Sequence, residues 1–171
     1  MMESMNTPPL LITTPTNIRY LTGFVGAQPD EREAFVLLTE AVIYLFTNAL
    51  YLEEALELKV KNEKLKVVEI SREKPLPKEL KRVLDELQKD WIPGQARNDM
   101  VLEYEEDNVT VAELKKLQKE LKGVKLMATR KKIEERRMIK REDEIASIRN
   151  ACALTDECFT YILTLLKIDV T

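Results

Sequence analysis

Ile145, Ile148, Cys152, Phe159, Ile162, Leu163 and Leu166 recur at steps of three, four and seven. That spacing puts them on one stripe of a helix of about six turns. A dense charged run, residues 134–144, leads into it. The sequence stops at Thr171, shortly after the stripe ends. Such a helix has an apolar face that needs cover, from the preceding domain, from a second copy, or from a domain outside this chain.

The 171 residues suit one domain with an appendage and are enough for a real core. With 44% hydrophobic and 33% charged residues, the composition is that of a globular chain rather than a disordered one. The net charge of -3 and the interleaving of lysine with glutamate describe solvated helix faces and argue against nucleic acid as a partner. No run of 18 apolar residues exists, and the patch at residues 10–12 is too short for a signal peptide's core. A cytoplasmic protein without membrane partners is the expectation. Cys152 and Cys158 fall on the same predicted helix, about 120° apart and roughly 9 Å along its axis. A disulfide cannot span that, so one small core residue and one free thiol are expected.

Histidine is absent. That excludes a Ser-His-Asp triad, a Cys-His pair and a His-bearing zinc site from this chain. Only carboxylate, Lys, Tyr or Cys chemistry remains, and none shows a recognisable constellation.

Taken in order, residues 9–13 read as a short buried strand, followed by a turn at Thr14-Pro15-Thr16-Asn17. Residues 34–38 and 42–46 read as a hairpin buried on both faces. A helical pattern over 50–58, a strand at 67–70 and a helix opened by Pro75 and Pro77 come next. Residues 100–104 form a possible strand. Thr110 and Glu113 have capping-box spacing ahead of a helix closed by Gly123, and a strand follows at 124–127. This order indicates an α/β sandwich with a mixed β-sheet flanked by helices. The segment 90–99, with the only Trp (Trp91), reads as a surface insertion ending in a Pro-Gly turn.

Three motifs carry a resemblance. Asn17, Tyr20, Leu21, Thr22, Gly23 and Phe24 match N-x-x-Y-L-T-G-F. Thr47, Tyr51 and Ala55 partly match T-D-x-R-Y-x-x-x-A. Arg137, Ile139, Lys140, Glu144, Ile145, Ile148, Arg149 and Ala151 fill R-x-I-K-x-x-x-E-I-x-x-I-R-x-A. In this order they resemble the creatinase/prolidase family of metallopeptidases, which includes Xaa-Pro aminopeptidases and dipeptidases. The resemblance implies a ribonuclease-H-like N-terminal domain over residues 1–136. The junction and the first helix of a "pita-bread" catalytic domain would then occupy 137–171. It also implies a chain cut just after that helix, with the two divalent metals (Mn, Co or Zn) and all their ligands in the part that is lacking. No catalytic or metal-binding residue is therefore expected here, and no intrinsic peptidase activity.

Several departures stand beside the match. Asn48 replaces the family's Asp and Leu50 its Arg, so a polar pairing there cannot form. Met1 to Thr7 is too short for the family's leading helix, and Ile168-Asp169 stands for Pro-Gly. By the resemblance, the loop after Phe24 reaches over a neighbouring subunit's active site. Arg32, with Asp30 and Glu31 beside it, would there meet a substrate carboxylate; the plain alternative is a solvated loop charge. Tyr20 and Phe24 are expected in the core, and Arg137 and Glu144 in helix solubility and inter-domain salt bridges. The expected function is a substrate-gating and dimerisation domain, partnered by a second copy or by a catalytic peptidase domain. A stand-alone docking module and a gene remnant are the alternatives.

Overall fold

The computed structural model describes residues 7–26, 32–89 and 100–166. The chain divides into two units, Met1–Ile133 and Glu134–Thr171. The first unit contains β1 (Leu10–Ile12), α1 (Pro15–Thr22), β2 (Ala34–Leu38) and β3 (Ile43–Thr47). A 3-10 turn (Ala49–Tyr51) leads into α2 (Leu52–Lys61), followed by β4 (Leu65–Glu69) and α3 (Leu76–Lys89). Then come β5 (Val101–Glu105), α4 (Val111–Glu120), β6 (Lys125–Thr129) and the start of α5 (Lys132–Met138). The second unit holds the rest of α5 and α6 (Glu142–Leu165).

The strands form one mixed sheet in the order β4-β3-β2-β1-β5-β6. Only β2 runs antiparallel to its neighbours. A four-residue turn forces that reversal: Thr39 Oγ1 donates to Val42 O and accepts from Val42 N, closing the β2–β3 hairpin. The later strands are joined through helices, which return the chain parallel.

Alternation along the strands sends side chains to two separate cores. Leu11, Phe35, Leu37, Tyr44, Phe46 and Leu102 pack under α3 and α4, against Leu80, Val83, Leu84, Leu117 and Leu121. Leu10, Ile12, Ala34, Val36 and Leu45 pack on the opposite face with Ile18 of α1, Ala55 of α2, Phe24 and Ile133. Helices on both faces explain why β1 and β2 read as continuous apolar runs. The architecture is the expected α/β one, and the hairpin, the capping-box helix and the long C-terminal helix all fall where the sequence puts them.

Some boundaries differ for local reasons. The expected turn at residues 14–17 is the first turn of α1, with Pro15 in an initial helical position where its missing N–H costs nothing. The charged run after residue 130 opens with a second short helix, α5, before α6 begins at Glu142. Strand β4 starts at Leu65, two residues early, because the turn residue Asn62 accepts the Leu65 N–H on its carbonyl. Helix α4 ends at Glu120 with Leu121 as its C-cap, so the left-handed Gly123 (φ 87°) sits one residue later than a C′ position. Despite the Asn48 and Leu50 replacements the local turn forms, with Asn48 Oδ1 accepting from Leu50 N at 3.0 Å. The Trp91 insertion and residues 167–171 lie outside the described residues.

In the second unit, Glu144 reaches back to cap the Arg141 N–H at 2.9 Å at the head of α6. No residue of α6 is buried, and Cys152 and Cys158 are free and both exposed, so neither is a core residue here. No helix among the described residues is long and apolar enough to cross a membrane.

Leu102 is fully buried on a central strand, whereas Val60 on α2 is 85% exposed. Leu102→Ala is expected to cost about 2–5 kcal/mol of unfolding free energy in chemical denaturation, and Val60→Ala less than about 0.5 kcal/mol.

Candidate functional site

The sheet order reverses direction between β1 and β5, and the carboxyl ends of these two strands are where α/β sheets commonly build a site. Here that end is tied by a buried carboxylate. Glu105, the last residue of β5, accepts from Thr13 N at 2.7 Å and Thr14 N at 2.8 Å on Oε2, and from Asn17 Nδ2 at 2.7 Å on Oε1. Thr14 is the N-cap of α1 and makes no side-chain cap of its own. Glu105 therefore supplies, from 91 residues away, the anionic acceptor that a helix N-terminus favours. Asn108 extends the net by donating its Nδ2 to Thr13 Oγ1 at 3.1 Å.

A second link joins the chain ahead of β2 to the N-terminus of α4. The Arg32 guanidinium donates from Nε to Glu113 Oε1 and from Nη2 to Glu113 Oε2, and Nη2 also donates to the Asn108 carbonyl at 2.7 Å. Glu113 is the N3 residue of the α4 capping box, where its Oε2 accepts from Thr110 N and Thr110 Oγ1. One carboxylate thus serves a helix cap and a bidentate arginine pair. Burial works to raise the Glu113 pKa, but the Arg32 and Thr110 donors outweigh it and hold the carboxyl below its ordinary value. A third link, from Lys132 Nζ to the buried Glu103 on β5, fixes the entry to α5.

The family-motif residues occupy one continuous structure around α1. Asn17 is fully buried on Glu105. Tyr20 and Leu21 are partly buried against the core. Thr22 Oγ1 donates to Ile18 O at 2.7 Å and accepts from Phe24 N at 3.1 Å, closing the helix. Gly23 follows in the left-handed region at φ 77°, its N–H on Arg19 O. Phe24 is fully buried and meets Tyr51 edge to face, ring centroids 6.1 Å apart. A Cβ on Gly26 would lie 2.7 Å from the Tyr51 ring and 2.8 Å from Phe24, so only glycine passes there. The first two motifs therefore meet in space, Tyr51 of one packing on Phe24 of the other.

The third motif belongs to the second unit. Arg137 lies in the last turn of α5, Lys140 donates to Met138 O at 3.1 Å, Glu144 caps α6, and Arg149 is exposed on α6. Of the loop residues, Arg32 is described and held as above, while Asp30 and Glu31 lie outside the described residues. Glu105 and Glu113 are the residues on which these links turn, and sequence reading passes over that role. Glu113 was visible only as a cap, and Glu105 alternates with Leu102 and Tyr104 like any solvent-facing strand residue.

A family model described as the creatinase/prolidase N-terminal domain matches residues 2–139. The chain belongs to that family, and its mixed six-stranded sheet with flanking helices is that domain's fold. A solved Xaa-Pro aminopeptidase from Streptococcus pyogenes is 31% identical over 75% of this chain and 82% of that one, with a TM-score of 0.52. The N-terminal domain of the cytoplasmic peptidase PepQ from Mycobacterium tuberculosis H37Rv is 24% identical, covering 74% of this chain and 85% of that one, TM-score 0.53. An Xaa-Pro dipeptidase from Bacillus anthracis shares the fold at 21% identity and a TM-score of 0.73. That match takes in 95% of this chain, which spans only 40% of the dipeptidase. Among curated protein sequences no match was found.

Removing the Glu105 carboxylate takes the acceptor from Thr13 N, Thr14 N and Asn17 Nδ2. Glu105→Ala is expected to lower unfolding free energy by about 3 kcal/mol or more, against about 1 kcal/mol for Thr110→Ala at an exposed cap, both read by denaturation. The folded Glu113 carboxyl is depressed, so its contribution is present above the ordinary carboxylate range and is lost as pH falls through the folded value. Melting temperature should accordingly fall between about pH 5 and pH 3, and the part due to Glu113 should be missing from Glu113→Gln.

Proposed function

We propose that this chain is a non-catalytic domain that works beside a metal-dependent catalytic domain acting on Xaa-Pro peptides. In this reading residues 1–136 form the accessory domain, while 137–171 are the junction and the first helix of the catalytic one. The accessory domain gates substrate entry and helps to pair two subunits. Membership of the creatinase/prolidase N-terminal family, over residues 2–139, is the observation that carries the reading. The similarity to the Xaa-Pro aminopeptidase from Streptococcus pyogenes supports the choice of substrate class.

The segment bearing Asp30, Glu31 and Arg32 is the proposed approach to a neighbouring active site, and Arg32 the proposed contact for a substrate carboxylate. Its Nη1 lies outside the bonds to Glu113 and Asn108 and is the edge such a contact would use. Among the described residues the donor set does not suit the two divalent metals the reaction would need. Histidine is absent, and among the described residues no three Cys, Asp or Glu side chains converge on a point. The metals are assigned to the catalytic domain, and no step is derived through them. A cytoplasmic location is proposed with the same reading.

With Mn²⁺ or Co²⁺ added, cleavage of Xaa-Pro peptides by this chain alone should stay at background. Mixing it with a catalytic domain stripped of its own N-terminal part should give a complex or raised turnover. Metal-dependent turnover by the chain alone, or selective capture of an unrelated protein with no effect on the catalytic domain, would count against the proposal.

A further inference from the structure

We propose that Glu113 is a positioning residue for Arg32: its carboxylate holds the guanidinium side-on and so fixes which edge of the arginine is presented. This rests on the proposed function for its purpose, since Arg32 is the substrate contact assigned there, but not for its geometry.

Three features of the link point this way. The pair uses Nε and Nη2 together, the two-point geometry that removes rotation of a guanidinium about its own axis. The Asn108 carbonyl takes a further bond from Nη2, so the nitrogen between the two acceptors is fully engaged and Nη1 is set to the far edge. Glu113 is itself tied back to the main chain, because Thr110 N, which Thr110→Ala would leave in place, donates to its Oε2 at 2.8 Å. A cap that by itself serves only α4 thereby becomes a fixed platform for a side chain 81 residues earlier. The two roles separate by mutation: Thr110→Ala removes the cap's hydroxyl and leaves both carboxylate oxygens for Arg32, whereas Glu113→Gln leaves a neutral acceptor at one oxygen only.

The test uses the whole chain, labelled with ¹⁵N, with the Arg32 Nε–H signal assigned through Arg32→Lys. In the unmodified chain Arg32 should give separate Nη signals and a slowly exchanging Nε–H. Glu113→Gln should collapse the Nη signals and speed Nε–H exchange by at least about tenfold. Thr110→Ala, though less stable, should keep the separate Nη signals. Loss of those signals in Thr110→Ala as well, or their survival in Glu113→Gln, would overturn the proposal. If Glu113→Gln does not fold, Arg32→Ala reads the same link from the other side. The Glu113 carboxyl ¹³C titration should then move to higher pH, and an unmoved titration overturns the proposal. None of these signals depends on a catalytic domain, so failure of the gating function would leave them intact, and their failure would leave the trans-activation assay standing.

Discussion

A carboxylate buried without a cation has to be held by N–H donors or it does not stay buried, and the first unit is arranged around one. Glu105 gives up its hydration for Thr13 N, Thr14 N and Asn17 Nδ2. These donors come from the end of β1 and the first turn of α1, so the bond set pins a helix start to the next strand across the sheet. Strand β1 has only three residues, and its register against β5 runs over two pairs. Such a short strand needs help to keep its place between two neighbours. The carboxylate gives that help at the point where the order of strands reverses, and Asn108 and Glu113 carry the tie on to Arg32.

This explains what the sequence could and could not disclose. Elements whose determinants are local were legible: the β2–β3 hairpin from two apolar runs, α4 from Thr110 and Glu113, α6 from its stripe. Helix α1 was not, because its four opening residues are good turn formers and its anionic cap is Glu105, far along the chain. Helix α5 was masked by its own charge, as Glu134, Glu135, Arg136 and Arg137 hide the single inward residue Ile133. The motif Asn17 to Phe24 was legible as a family signature, yet its physical content is mutual. Asn17 means little without Glu105, and Phe24 little without Tyr51.

The same contrast applies to the site. Arg32 could be singled out by position, since a guanidinium in a loop is an obvious carboxylate partner. Its partner within the chain could not be foreseen, because Glu113 already had a satisfying local explanation as a capping residue. Double use of one side chain leaves no trace in spacing. It is visible only once folding brings α4 beside the chain entering β2.

Helices α3 and α6 show how far a helix surface alone specifies its surroundings. Helix α3 carries Leu80, Val83, Leu84 and Leu87 on one stripe and sets Arg82, Asp85 and Glu86 outward, the pattern of a helix covering one face of a sheet. Helix α6 has its main stripe and a second, formed by Leu154, Tyr161 and Leu165, roughly 120–140° around the axis. Between Glu157 and Leu166 it bears no charge at all. Its apolar arc over these turns exceeds half the circumference, wider than the seam of a two-helix pair. A surface of that breadth suits a helix covered on two sides within a layered domain. The seam of a two-helix pair would leave part of that arc bare, whereas the single stripe of α3 is fully used by the sheet it covers.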